Sequence, residues 1–375
     1  LRETCYDVDR LNVGPVGRRD VNRDQVHAAI ELITAAERPL IVVGGGALDH
    51  ADPIRALART IGAGVISFRT GHGIMPASDP LALSNPAGHA LWRDCDLVVC
   101  LGTRLVTQKH GWGLDADIKL IHIDIDEGVL GVVQEPTVGL CADLKDALPM
   151  VLASLPEQPD RATWRSQIAQ AKAATADYIA DQLAPQLSWL KAIRDALPPD
   201  GLLFDELTQI GFVSRFAFPV EAPRTFLSTG YQGTLGWGVA AAIGAAHARR
   251  DVPVVSIAGD GGALFTITEL ATAVHHKIPV NLVVLNDNAY GNVKGIQRDQ
   301  YQGRYIASDL TSPDFVALAH SFGAHGVRAH TPDELSAALS KAVASDGVHV
   351  IEVPVGEFPS PWQHIMLPRV RGPKT

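Results

Sequence analysis

Apolar positions along this chain fall into short unbroken runs, separated by longer segments whose apolar residues recur at helical spacing. In the first half such runs stand at residues 39–43, 64–67, 96–101 and 119–125. In the second half they stand at 202–204, 226–228, 254–257, 280–285 and 350–353. Runs this short, mainly apolar and bounded by Gly, Asp or Asn, predict strands buried on both faces of a parallel sheet. Helical segments are predicted at 24–37, 54–61, 163–183 and 187–197, and an Ala-rich one runs up to Ala248. Strands alternating with helices predict an α/β fold with two doubly wound parallel-sheet domains, at residues 21–155 and 187–375. Pro156, Pro159 and Pro185 bracket a helical linker, 156–186, whose Ala- and Gln-rich stretch predicts an exposed interdomain helix. Residues 1–20, with Gly14-Pro15 and Arg18-Arg19, read as an irregular connector.

Composition changes this picture little. A chain of 375 residues with 46% hydrophobic content can build two or three cores. The net charge of −9 is diffuse, which speaks for solubility and against a nucleic-acid surface. The longest run of apolar or small residues, 235–246, falls short of the roughly 20 that a membrane span requires. The sequence opens on Leu1 without a charged-then-apolar leader, and a cytoplasmic location is expected. Cys5, Cys95, Cys100 and Cys141 form no CxxC pair, so reduced thiols are expected.

The chemistry concentrates between residues 252 and 293. The run at 254–257 ends in Ala258-Gly259-Asp260-Gly261-Gly262, a helix is predicted at 266–276, and the run at 280–285 ends in Asn286-Asp287-Asn288-Ala289-Tyr290-Gly291. Parallel strands open on one edge, so Asp260 and the 286–289 turn are expected side by side in the crevice where α/β sheets bind ligands. Gly261 and Gly262 let backbone N–H groups approach an anion. Asp260, Asp287 and a turn carbonyl offer hard oxygens for Mg²⁺ or Ca²⁺. A diphosphate with a divalent cation meets all three features. A second glycine cluster, Gly230-Tyr231-Gln232-Gly233-Thr234-Leu235-Gly236-Trp237-Gly238, lets the backbone pass close to a flat ring.

The Gly-Asp-Gly at 259–261 followed by Asn286-Asp287 resembles the cofactor motif of thiamine-diphosphate enzymes, which usually closes with Asn-Asn. The resemblance implies that Asp260, Asp287 and the Ala289 carbonyl hold Mg²⁺, with Gly259, Gly261, Gly262, Tyr290 and Gly291 around the cofactor. It assigns Leu235 as the prop that bends the cofactor, and the Gly233 carbonyl as acceptor for its amino group. The first half is similar to the central domain of acetolactate-synthase-like enzymes at Gly44–Gly46, Gly71-His72-Gly73, Gly102-Thr103-Arg104 and 122–126. Some members hold FAD there; Asp49 stands where a third spaced glycine would complete a dinucleotide fingerprint, so FAD is not expected here. Asp124 and Asp126 read as caps rather than ribose ligands.

The implied activity is decarboxylation of a 2-oxo acid, with the product carbon either protonated or passed to a second carbonyl. The alternatives are a non-carboligating decarboxylase, or a cofactor-binding but catalytically silent or regulatory protein. In this family the glutamate that activates the cofactor lies in an N-terminal pyrimidine-binding domain. No catalytic base is therefore assigned, and the chain is expected to lack that domain. A homodimer or homotetramer is implied, because one chain's diphosphate domain faces another's pyrimidine domain. Acetolactate synthases that make branched-chain precursors carry a Trp where this chain has Ile296, which points away from that substrate. Glu206, Thr208 and Gln209 are expected at the pocket edge. Tyr290, Asn292 and Lys294 are expected on a mobile closing loop. His275-His276 is expected to be structural, and His72, His89, His110 and His364 are unassigned. The 357–368 segment, with Trp362, Gln363 and Met366, is read either as a cover for the site or as surface packing.

Overall fold

The computed structural model describes residues 20–372 apart from 68, 133 and 231. The connector, including Cys5, Gly14-Pro15 and Arg18-Arg19, lies outside the described residues except for Asp20.

Two six-stranded sheets, parallel throughout, carry the molecule. The first holds β1 (Pro39–Val43), β2 (Gly64–Ser67), β3 (Ala82–Leu83), β4 (Leu97–Leu101), β5 (Lys119–Asp124) and β6 (Val138–Cys141), in the order β3-β2-β1-β4-β5-β6. The second holds β7 (Leu202–Asp205), β8 (Phe226–Ser228), β9 (Val254–Gly259), β10 (Val280–Asn286), β11 (His325–Arg328) and β12 (Val348–Pro354), in the order β11-β12-β10-β9-β7-β8. The central strands β1, β4, β9 and β10 are buried nearly end to end, as their apolar runs require. β3, β6 and β11 escape prediction because β3 is two residues long, β6 holds only four, and β11 is an exposed edge strand rich in polar side chains.

The helical run from Ala162 to Ala196 consists of two helices that meet at a kink. It leaves helical geometry only at Leu183, two residues before Pro185, whose ring and missing N–H interrupt the ladder. It is exposed along much of its length but anchored at both ends. Trp164 and Ile168 join the core of the first sheet, while Ile179, Leu183, Leu190 and Ile193 join that of the second.

The two units touch through polar contacts at backbone level. His72 Nε2 lies 2.9 Å from the Arg215 carbonyl, and Arg69 donates to the Gly230 carbonyl at 2.8 Å. Ala77 N–H donates to Val220 O, and the Arg224 guanidinium grips both Asp49 oxygens. Gly73, at φ +81°, lies so close to Ala222 that a Cβ would sit 2.0 Å from its carbonyl oxygen. A cavity of about 270 Å³ sits in this junction, lined by His72, Ile179, Phe216 and Phe218 among others; it shares no residue with the Asp260–Asp287 site.

Burial pushes the His72 imidazole down to about 4; the Arg215 carbonyl opposes this and the Arg215 charge adds to it. A ring held neutral in the fold contributes stability that is complete above its ordinary value of 6.5 and is lost as pH falls through 4. The nearby Asp205 carboxyl, raised to about 6 by burial against the pull of Arg215, has the opposite sign. The useful quantity is therefore a difference. Denaturant unfolding of the protein and of His72→Gln between pH 7.5 and 4 is expected to show the stability advantage of the parent shrinking as pH falls. A gap that is constant with pH would contradict this role for His72.

Candidate cofactor and metal site

In the second sheet the chain runs one way from β7 to β8 and returns to the other side of β7 as β9. That reversal opens a crevice at the carboxyl ends of β7 and β9. Glu206 to Gln209 follow β7, the 230–238 loop follows β8, and Asp260 to Gly262 follow β9. The register pairs Leu285 of β10 with Gly259 of β9, so the next residues, Asn286 and Asp260, lie level at the sheet edge.

Asp260 is 1% exposed and accepts a 2.6 Å bond from Ser312 Oγ. Asp287 accepts from Gln209 Nε2 at 2.9 Å and from the Ala289 N–H at 3.1 Å. Burial, and next the Asp260 carboxylate beside it, hold the Asp287 carboxyl above the usual range, against the two hydrogen bonds. The turn between them is fixed from outside. Asn288 takes φ +53°, its carbonyl accepts from Leu310 N–H at 2.7 Å, and Tyr290 N–H donates to Ser308 O at 2.8 Å. Ala289 sits between these bonds, opposite Asp309. Among the described residues no donor is bonded to the Ala289 carbonyl. Two carboxylates that repel each other beside a free carbonyl suit a hard divalent cation. No cluster of three or more His, Cys, Asp or Glu occurs among the described residues, so a metal here relies on that backbone oxygen.

Next to it the backbone is prepared for an anion. The chain turns helical at Asp260–Ala263, breaks, and resumes as a 3₁₀ turn at Ile267–Glu269 and a helix at Leu270–His275. The single predicted helix at 266–276 is thus two short pieces, with one helical turn placed earlier, at the glycines. Among the described residues the Gly261 and Gly262 N–H groups have no acceptor. A Cβ on Gly261 would meet the Tyr290 ring at 2.6 Å, and one on Gly262 would meet Glu206 Oε1 at 2.1 Å. Only glycine fits either place. Gly291 is confined in the same way by Asp287 Oδ2, at 2.5 Å.

The 230–238 loop closes the other side. Gly230, Gly233 and Gly236 all take positive φ, at 68°, 60° and 81°. Leu235 projects from it, 36% exposed, and Thr266 Oγ1 donates to the Gly236 carbonyl at 2.7 Å. Beneath the loop the buried Glu206 accepts from the Gly236 and Gly238 N–H groups. The structure brings all these residues to one sheet edge and adds Ser312, whose exposed polar surroundings gave no sequence signal.

Other candidates fall elsewhere. Thr208 bonds the Gly211 N–H and serves its own turn. Gln209 ties Asp287 to the Gly356 carbonyl and accepts from Phe358 N–H. Asn292 and Lys294 lie on a ten-residue helix, Gly291–Gln300, and not on an irregular loop. His275 and His276 meet edge to face at an exposed helix end. His89 meets the Pro368 carbonyl, His110 is exposed, and His364 is buried beside Tyr178 and Phe216. Asp126 caps the turn at Glu127–Val129. The C-terminal segment packs Trp362 on Phe212 and exposes Met366. Cys95 and Cys100 are buried thiols outside any disulfide. No described helix is long and apolar enough to cross a membrane.

Comparison with known proteins agrees with this geometry. The chain matches the central domain of thiamine pyrophosphate enzymes over residues 26–151, and their C-terminal TPP binding domain over residues 208–353. It is 30% identical to a sulfoacetaldehyde acetyltransferase of Castellaniella defragrans over 89% of this chain and 61% of that protein. It is 31% identical to a probable acetolactate synthase large subunit of Methanocaldococcus jannaschii, covering 88% of this chain and 59% of that one. A probable 2-ketoarginine decarboxylase of Pseudomonas aeruginosa is 31% identical over 88% and 60%. The chain thus spans about three-fifths of the length of these curated relatives. By these matches it belongs to the thiamine pyrophosphate enzymes and carries their central and C-terminal cofactor-binding domains.

Proposed function

We propose that this protein is a thiamine-diphosphate- and Mg²⁺-dependent 2-oxo acid carboligase or decarboxylase of the acetolactate-synthase-like kind. The observation that carries the reading is the pairing of Asp260 and Asp287 beside the free Ala289 carbonyl. These three would hold Mg²⁺. The Gly261 and Gly262 N–H groups would take the diphosphate, within a surround of Gly259, Tyr290 and Gly291. Leu235 would prop the bent cofactor, and the Gly233 carbonyl would accept from its amino group. When bound, thiamine diphosphate supplies an electron sink for the carbon that loses CO₂. The chain's own residues bind, orient and shield it. The relatives' names support both outcomes, transfer to an acceptor and simple decarboxylation.

We read the exposed apolar face at Leu235, Leu264 and Phe265, the last 61% exposed, as closed by a second copy of the protein in a homo-oligomer. We assign no flavin to the central crevice. The Gly44 and Gly46 N–H groups are committed to the Leu101 and Gly102 carbonyls, and a Cβ on Gly44 would lie 2.4 Å from the latter.

Asp260→Ala removes a charged ligand, and loss of even an outer-shell partner costs about 10–100-fold in metal affinity. Calorimetry is therefore expected to show Mg²⁺-dependent thiamine diphosphate binding weakened at least ~100-fold; unchanged affinity would refute the site. With the protein as the cell makes it, pyruvate and a second carbonyl acceptor are expected to give a coupled hydroxyketone. Free aldehyde alone would select the non-carboligating decarboxylase. Cofactor binding without CO₂ release would select a silent or regulatory protein.

A further inference from the structure

We propose that Glu206 is a positioning residue that sets the ring-binding loop in register with the diphosphate turn before the cofactor arrives. The inference rests on the cofactor reading above and extends it to a residue outside the metal and ring contacts.

Glu206 is 1% exposed and stands directly after β7. One carboxylate oxygen accepts from the Gly236 N–H at 2.8 Å and the other from the Gly238 N–H at 2.7 Å. These are short, charge-assisted bonds, of the strong class. They fall at the start of the twelve-residue helix Trp237–Ala248, whose positive end favours an anion. Burial still raises the carboxyl above its usual range, against both bonds. A carboxylate kept in so dry a place needs a reason beyond helix capping. A cap is usually local, from a Ser, Asp or Asn at the N-cap position. Here that position is Gly236, in left-handed geometry with no side chain, and the carboxylate arrives from another strand.

The glycines around it give that reason. A Cβ on Gly238 would lie 2.8 Å from Glu206 Oε2, and one on Gly262 would lie 2.1 Å from Oε1. Two glycines, one on each cofactor loop, leave room for the same carboxylate. Glu206 is therefore the junction of three segments: the β7 tip, the 230–238 loop and the Asp260–Gly262 turn. Thr266 grips Gly236 from the far side through its carbonyl. Gly233 and Leu235 immediately precede this clamped residue, so its placement fixes the ring-binding geometry relative to the diphosphate anchor. Restraining these loops in advance removes an ordering cost from cofactor binding.

The test measures two ligands on the whole chain by calorimetry with Mg²⁺: thiamine diphosphate, which uses both loops, and inorganic pyrophosphate, which uses the diphosphate turn alone. Glu206→Gln keeps the size but loses the second acceptor and the charge. Thiamine diphosphate affinity is expected to fall ~10–100-fold, the range for losing a charged hydrogen bond, while pyrophosphate affinity stays within about twofold of the parent. Glu206→Asp is expected to recover part of the loss. Should Glu206→Gln fail to fold, Thr266→Val loosens the same glycine with the carboxylate intact, and the same selective loss is expected. Equal weakening of both ligands would reduce Glu206 to a merely structural cap and overturn the inference; so would an unchanged thiamine diphosphate affinity in the folded variants. Failure of the parent to bind either ligand would overturn the cofactor reading itself, and this inference with it.

Discussion

Two carboxylates on neighbouring strand tips repel each other, and a fold that buries them there must offset that repulsion with a shared proton, hydrogen bonds or a cation. Asp260 and Asp287 are in that position, and the raised Asp287 carboxyl is its electrostatic signature. The rest of the second unit can be read as what makes the arrangement tolerable. Ser312 and Gln209 each satisfy one oxygen, and the Ala289 N–H satisfies another. Asn288 takes left-handed geometry so that its neighbours can bond to the 308–310 segment, and Ala289 keeps its carbonyl free between them.

The site was legible because its elements are local and buried. β9 and β10 are mostly apolar and buried nearly end to end, and each ends in turn residues with specific chemistry. Strand parallelism then brings their tips together without any knowledge of packing. The glycines were legible for the same reason, since close approach is the property that only glycine has. What escaped depends on distant partners. Ser312 reaches Asp260 from a segment without periodicity. Glu206 showed only as a carboxylate after a strand; its clasp on Gly236 and Gly238 appears once β7 lies beside β9. The long helical run is exposed over much of its length, as its Ala- and Gln-rich composition says; that composition does not report that Trp164, Ile168, Ile179 and Leu183 bury one side of it in two different cores.

The central crevice shows how the same sequence sign can have another cause. Gly44-Gly45-Gly46 sits at the switch point of the first sheet, between β1 and β4, where a dinucleotide would be expected. Its glycines serve loop packing against Gly102 and Thr103, and two of its N–H donors are committed to neighbouring carbonyls. At Gly261 and Gly262, by contrast, the donors have no acceptor among the described residues, and sequence alone does not report that difference.

The 286–289 turn is tied to the last segment of the chain. Val355 N–H donates to the Asn286 carbonyl, and Gln209 joins Asp287 to Gly356 and Phe358, so the last segment leaves the sheet tied to the site. It then passes Gln186, which holds the Pro359 carbonyl, and reaches the first unit. There His89 meets Pro368, and the buried Arg371 donates to the carbonyls of Trp92 and Arg93 and to Asp115. A guanidinium enclosed by carbonyls is costly to withdraw, so this strap resists peeling from the first unit. The two sheets divide the hydrophobic core, but the hydrogen bonds along the last segment reach both units.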